Sequence, residues 1–146
     1  MAATHSFCSA GLFYLVGFLY DWDKVKNLNY SSSLAELRPM FSVCFLLFIL
    51  INVGYPFIGT YIPELLMVNE AVIANDLFYL FFFLISIFFS TIGMFFAISR
   101  LLYRTWHDDE SRKVIDLSMF QLYIIAYLFI LCVFFGVAPN FYIEFI

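Results

Sequence analysis

Residues 77–98 run without a single charged side chain, and the apolar character continues to Tyr103. At about 1.5 Å of rise per residue, a helix of that length more than covers a hydrocarbon core of ~30 Å, so it crosses a bilayer with some tilt. Composition extends this reading to the whole chain. With 64% hydrophobic and 23% aromatic residues, it lies well outside the roughly 45–50% apolar content of soluble domains. The chain therefore reads as an all-α, polytopic integral membrane protein. The net charge of −4, from 11 acids against 7 bases, comes without a clustered basic face and argues against nucleic acid as a partner. The first apolar run has neither a basic leading segment nor an A-x-A site, so it is expected to be a span and not a signal peptide.

The pattern predicts one transmembrane domain over residues 1–146 with about five spans, near residues 4–20, 40–54, 56–75, 77–103 and 117–138. The first carries Ala10, Gly11 and Gly17, small enough to let a neighbouring helix approach closely. Residues 21–39 are a polar connection with DWDKVK and three serines, in which residues 35–37 are expected to form a surface turn. Residues 105–116, TWHDDESRKVID, form a charged loop; its simplest reading is a solvated surface with His107 exposed and inert. Arg100 and Arg104, one turn apart, are placed to snorkel to head groups. With five spans the basic residues of these two connections fall on opposite sides, and the positive-inside rule gives no clear orientation. Cys8, Cys44 and Cys132 are far apart in apolar runs without C-x-x-C spacing, and read as small buried hydrophobes. The abundant phenylalanines read as lipid-facing filler and interfacial belts.

Residues 52–70, NVGYPFIGTYIPELLMVNE, break the apolar monotony. Pro56 and Pro63 each remove a backbone donor and clash with the preceding turn, so a helix here must start, kink or break near them. Glu64 follows at once. A charged residue at mid-helix in hydrocarbon costs roughly 2.5 to 3.5 kcal/mol on insertion scales, so Glu64 is expected to face a bundle interior or a hydrated cavity and to have a partner. The competing reading makes it a carboxylate at a span boundary near the surface, with Pro56 merely beginning a helix. Burial raises a carboxyl pKa and a nearby lysine lowers it, and a group balanced between the two loads and releases protons near neutral pH. No lysine lies within any predicted span, so a counter-charge would have to come from another subunit. His5, able to pass protons through two ring nitrogens, is the second candidate; its alternative is an inert histidine at a wet interface. Glu70, six residues from Glu64 and hence roughly 240° around a regular helix, reads as an end-of-span carboxylate near Asp76 and only as a possible further site. The sequence shows no nucleophile–base pair, phosphate loop, metal spacing, or haem or iron–sulfur spacing, which assigns any redox chemistry to partners.

HSFCSAGLFYLVGFLYD, from His5, resembles the H-x-x-x-S-x-x-L-F-x-x-x-G-x-x-Y element of NADH dehydrogenase subunit 4, the antiporter-like proton-pumping subunit of respiratory complex I. LAELRPMFSVCFLLFILINVGYPFIGTYIPELLMV is similar to that family's L-x-x-x-x-P followed by A-N-x-G-x-P-x-x-x-x-F-x-x-E, and SRLLYRTW and GVAPNFYIEFI resemble later elements in the right order. A glutamate at the broken-helix position favours subunit 4 over subunits 2 and 5, which carry lysine there. The sequence departs from the family where Pro63 replaces a glycine, where DWDKVK replaces a basic motif and where a glutamate is missing around Phe120.

The resemblance implies discontinuous helices, Glu64 as the terminal carboxylate of a proton half-channel and His5 on a central polar axis. It implies a subunit of a proton-translocating NADH:ubiquinone reductase in the mitochondrial inner membrane, with the loop after Arg104 in the matrix. FMN, iron–sulfur clusters and ubiquinone would then be bound by other subunits, with no cofactor here. Its expected partners are a separate chain holding the N-terminal part of subunit 4, subunits 2 and 5, and phospholipids such as cardiolipin. Two other readings remain at this point: a structural membrane subunit that has lost pumping, and a fragment of a multisubunit cation/proton antiporter.

Overall fold

The computed structural model describes residues 2–23, 34–56, 58–103 and 116–137, and every described element is helical. In chain order these are α1 (Ala2–Asp23), α2 (Leu34–Leu37), α3 (Pro39–Asn52), α4 (Tyr61–Ile73), α5 (Leu77–Leu102) and α6 (Met119–Val137). Lys24, Lys26, the serine run, Arg104, His107 and Pro139 lie outside the described residues. Two helices, α5 and α6, are both long and apolar enough to cross a membrane. The expected spans at 40–54 and 56–75 correspond to α3 and α4, of 14 and 13 residues. At about 1.5 Å per residue, each falls short of a ~30 Å core.

Helices α1, α3 and α6 pack into the core, with α4 against α5. Phe48 of α3 is fully buried at its centre. Its ring occupies the space where Gly11 of α1 lacks a side chain, and it meets Phe129 of α6 edge-on at 6.4 Å. Gly11 thus provides the close approach expected of it, whereas Ala10 and Gly17 are exposed and Gly17 has open space around it. Cys8 and Cys132 are fully buried, Cys44 is half-buried, and all three are free thiols. The exposed flank of α5 is covered with phenylalanine, including Phe78, Phe81, Phe82, Phe88 and Phe89. In a bilayer that surface meets lipid without the cost it would carry in water.

One pole of the bundle gathers the end of α1, the start of α3 and the start of α6. Trp22 packs edge-on against Phe41 at 5.6 Å, and the Arg38 guanidinium lies 4.5 Å from the centre of the Trp22 ring. Pro39 opens α3, where its missing N–H would be unsatisfied anyway. The next two amides donate to a side chain from far along the sequence: Met40 N–H and Phe41 N–H reach the two carboxylate oxygens of Asp116, at 2.9 and 3.1 Å. An acceptor for the orphan donors of a helix start normally comes from the residue just before it; here it comes from the head of α6. That helix begins on its own reciprocal cap. Ser118 N–H donates to Gln121 Oε1 at 2.8 Å, and Gln121 N–H donates to Ser118 Oγ at 3.4 Å, the S-x-x-Q form of a capping box.

The opposite pole joins the start of α1 to the end of α6, where Phe7 stacks on Phe135 at 5.7 Å. Along α5 the neighbours follow in sequence. Asn52, the last residue of α3, reaches Met94, and Met67 of α4 reaches Tyr79. Helices α3 and α4 therefore lie one after the other along the single 26-residue helix α5.

Candidate functional site: a polar cavity at the break between α3 and α4

Helix α3 ends because Gly54 follows it. Gly54 has φ +78°, the left-handed conformation that costs glycine nothing. Tyr55 N–H donates to Leu50 C=O and Gly54 N–H to Ile51 C=O, at 3.1 and 3.2 Å, a complete Schellman termination. Helix α4 ends the same way on Asn75, with φ 55°; Asp76 N–H reaches Ala71 C=O and Asn75 N–H reaches Val72 C=O. Asp76 then caps α5 by accepting from Tyr79 N–H at 3.1 Å.

The non-helical stretch between α3 and α4 is held on both sides. Thr60, fully buried, donates through Oγ1 to the Ile51 carbonyl, and Gly59 N–H donates to the Cys132 carbonyl of α6 at 3.2 Å. A Cβ at Gly59 would press on Thr4 and on the α6 backbone, 2.6 and 2.9 Å away, so the break lies directly against α1 and α6. Its place decides among the roles the sequence leaves open for Pro63, in favour of a helix start. That residue does not break a helix: it sits in the first turn of α4, where its missing N–H removes no intrahelical bond. The break lies upstream, at residues 53–60, set by Gly54 and Pro56.

Glu64 follows in the first turn of α4, at the helix end where backbone dipoles favour a negative charge. It is half-buried and borders a cavity of ≈ 370 Å³ lined by His5, Asn52, Val53, Glu64 and a stripe of α5 comprising Phe83, Ser86, Ile87, Ser90, Thr91 and Met94. The two sequence-predicted residues, His5 of α1 and Glu64 of α4, thus face one space, with His5 on its exposed side. Glu70 lies elsewhere: it is solvent-exposed near the end of α4 and does not line the cavity.

The α5 residues of the lining recur every three or four positions, so they form one face of the helix. They bracket its midpoint, which places the cavity near the middle of a spanning helix. Ser86 and Ser90 were not singled out from the sequence, although two hydroxyls one turn apart in a run of Phe, Leu and Ile were a signal. Thr91 and Ser99 turn their hydroxyls back onto the α5 carbonyls of Ile87 and Phe96, at 2.8 and 2.9 Å. Ser86 and Ser90 make no such bond among the described residues and border the cavity instead. Among the described residues, no three His, Cys, Asp or Glu side chains cluster to hold a metal ion.

The arrangement is a space beside the midpoint of α5 bordered by one carboxylate, one imidazole, an amide and hydroxyls. Residues 1–90 match the sequence pattern of the family described as NADH:quinone oxidoreductase/Mrp antiporter, transmembrane region. The chain belongs to this family. It is 31% identical over 155 residues to NADH-ubiquinone oxidoreductase chain 4 of Wickerhamomyces canadensis, covering 99% of the present sequence and 29% of that protein. The chain 4 of Chondrus crispus is 29% identical over 148 residues, covering 97% and 28% respectively. That of Acanthamoeba castellanii is 38% identical over 64 residues, covering 44% and 13%. The chain thus spans less than a third of the length of these relatives. Ionisable groups within membrane-spanning bundles commonly mark ion pathways, and discontinuous helices commonly flank ion sites; here Glu64 stands just past the interruption between α3 and α4.

Proposed function

We propose that the chain is a membrane-arm subunit of a proton-translocating NADH:ubiquinone oxidoreductase in the mitochondrial inner membrane, and that Glu64 is its proton carrier. The observation that carries this reading is the shared cavity: Glu64, His5 and Asn52 line one space with the hydroxyl-bearing face of α5. Glu64 takes up a proton from this space and releases it toward a base whose charge rises and falls with the coupled reaction. Among the described residues no lysine is present to serve; the base we propose is a lysine of the part of subunit 4 that this chain does not span. Hydride and electron transfer, with FMN, iron–sulfur clusters and ubiquinone, take place in other subunits.

The helix lengths support four traverses in place of five, with α3 and α4 as the two halves of one broken span. Such a break is tolerated in a bilayer because it lies against protein and a hydrated cavity. The change of parity also resolves orientation. The two connections, which hold six of the seven basic residues with Arg100 in the last turn of α5 beside the second, then join helix ends at the same pole, which by the positive-inside rule faces the matrix. Replacing Glu64 with Gln in the assembled complex tests the reading. The enzyme is expected to oxidise NADH while moving fewer protons per electron; an unchanged proton ratio overturns the role of Glu64. Mass spectrometry of the purified complex, showing whether the remaining subunit 4 segments arrive on a separate chain, tests the split.

A further inference from the structure

We propose that Gly54 is a positioning residue for Glu64, its missing side chain leaving the seat in which the carboxylate lies. This rests on the reading of Glu64 as proton carrier. A Cβ on Gly54 would stand 3.1 Å from Glu64 Cδ and 3.3 Å from Oε1, and would overlap Oε2 outright. The carboxylate therefore packs against the bare Cα face at the end of α3, although it belongs to α4. Gly54 meets two demands at one position. Its φ of +78° completes the Schellman turn that ends α3, and its lack of a side chain sets how near the Glu64 carboxylate comes to that end, beside Asn52. Any L-residue there meets the carboxylate before it meets anything else.

The two demands are separable. The backbone demand is indifferent to what stands at position 64, whereas the steric demand depends on it. Aspartate at 64 is shorter by one methylene and withdraws the carboxylate from the space an alanine Cβ would take. In the native background Glu64→Asp pulls the carboxylate out of place and lowers proton transfer. Alongside Gly54→Ala, the same change relieves the collision while leaving the backbone strain as it was. The sign of the effect of Glu64→Asp thus reverses with the residue at 54.

The experiment is a double-mutant cycle in the assembled complex in its own membrane, reading NADH-driven proton transfer, with Glu64→Gln as reference. Gly54→Ala is expected to lower transfer by roughly ten- to a hundredfold, the scale of a displacement near 1 Å at a reacting group. Gly54→Ala/Glu64→Asp is expected to exceed Gly54→Ala alone. Additive losses, the result for distant or independent effects, would reduce Gly54 to a backbone role and overturn the proposal. If Gly54→Ala does not accumulate, the pair is read by accumulation: its return supports the contact and its continued absence overturns it. A Glu64→Gln enzyme with full proton transfer instead removes the parent reading, an outcome distinct from additivity.

Discussion

Replacing Asp116 with alanine removes the acceptor that holds the head of α3. In the structure, Oδ2 receives Met40 N–H at 2.9 Å, while Oδ1 receives Phe41 N–H at 3.1 Å and Leu117 N–H at 2.8 Å. Arg38, in the position before α3, makes no side-chain cap bond there, so both α3 amides depend on this carboxylate. Losing an N-cap costs about 0.5–2 kcal/mol. The carboxylate serves three amides at once, which puts its loss toward the top of that range, and because the site is part-exposed water keeps the expected cost to about 1–2 kcal/mol. Differences of that size change an opening equilibrium roughly 5- to 30-fold. Amide hydrogen exchange of the complex in detergent, followed on peptides covering residues 39–52, is expected to speed up by that factor in the first turn of α3. Asp116→Asn keeps one acceptor oxygen and loses the charge, and is expected to fall between alanine and wild type. Unchanged exchange at Met40 and Phe41 in the alanine variant would refute the idea that α6 caps α3.

Gly11→Val drives a side chain into the space filled by the Phe48 ring; overpacking of this kind costs typically about 1–3 kcal/mol, seen as a lowered melting temperature of the subunit, whereas Gly17→Val, in open space, is expected to leave it unchanged. Single cysteines at Ser86 and Ser90 are expected to react in intact membranes with a water-soluble thiol reagent, and one at Phe89 is not; equal labelling at all three would contradict a hydrated cavity confined to one face of α5. Pro63→Ala is expected to shift stability by less than about 0.5 kcal/mol and to leave the proton ratio intact, because a proline in the first turn of a helix displaces no backbone bond. A strong loss of coupling in that variant would show that Pro63 shapes the break after all.

The sequence carried the elements whose signal is local. The uncharged run at 77–98 marked α5, Pro56 and Pro63 marked a helix start, kink or break, and the carboxylate just past them lines the cavity. What escaped depended on pairing between distant segments. The apolar sequence from 40 to 75 reads as two crossings because length alone does not tell two short helices in line from two full spans; the fold shows two short helices that meet α5 in succession, from which the single broken crossing is proposed. For Pro63 the sequence leaves a start, a kink or a break open, because proline breaks a helix in its middle but costs nothing in a first turn. Asp116 resembled the start of a span, and nothing near it in sequence announced that its oxygens cap a helix some seventy positions earlier. Ser118 and Gln121 did follow the spacing of a capping box and were readable. His5 and Glu64 are both candidates in the sequence, and the fold places them on the same space.

The central claim is that the Glu64 carboxyl exchanges its proton with water inside the membrane as the complex works. Infrared difference spectroscopy of the assembled complex, comparing resting with NADH-driven enzyme, reads this directly. A protonated-carboxyl C=O band that appears or disappears on turnover, shifts in D2O and is missing from Glu64→Gln is the predicted result. A difference spectrum in which every carboxyl band survives in Glu64→Gln would contradict the account.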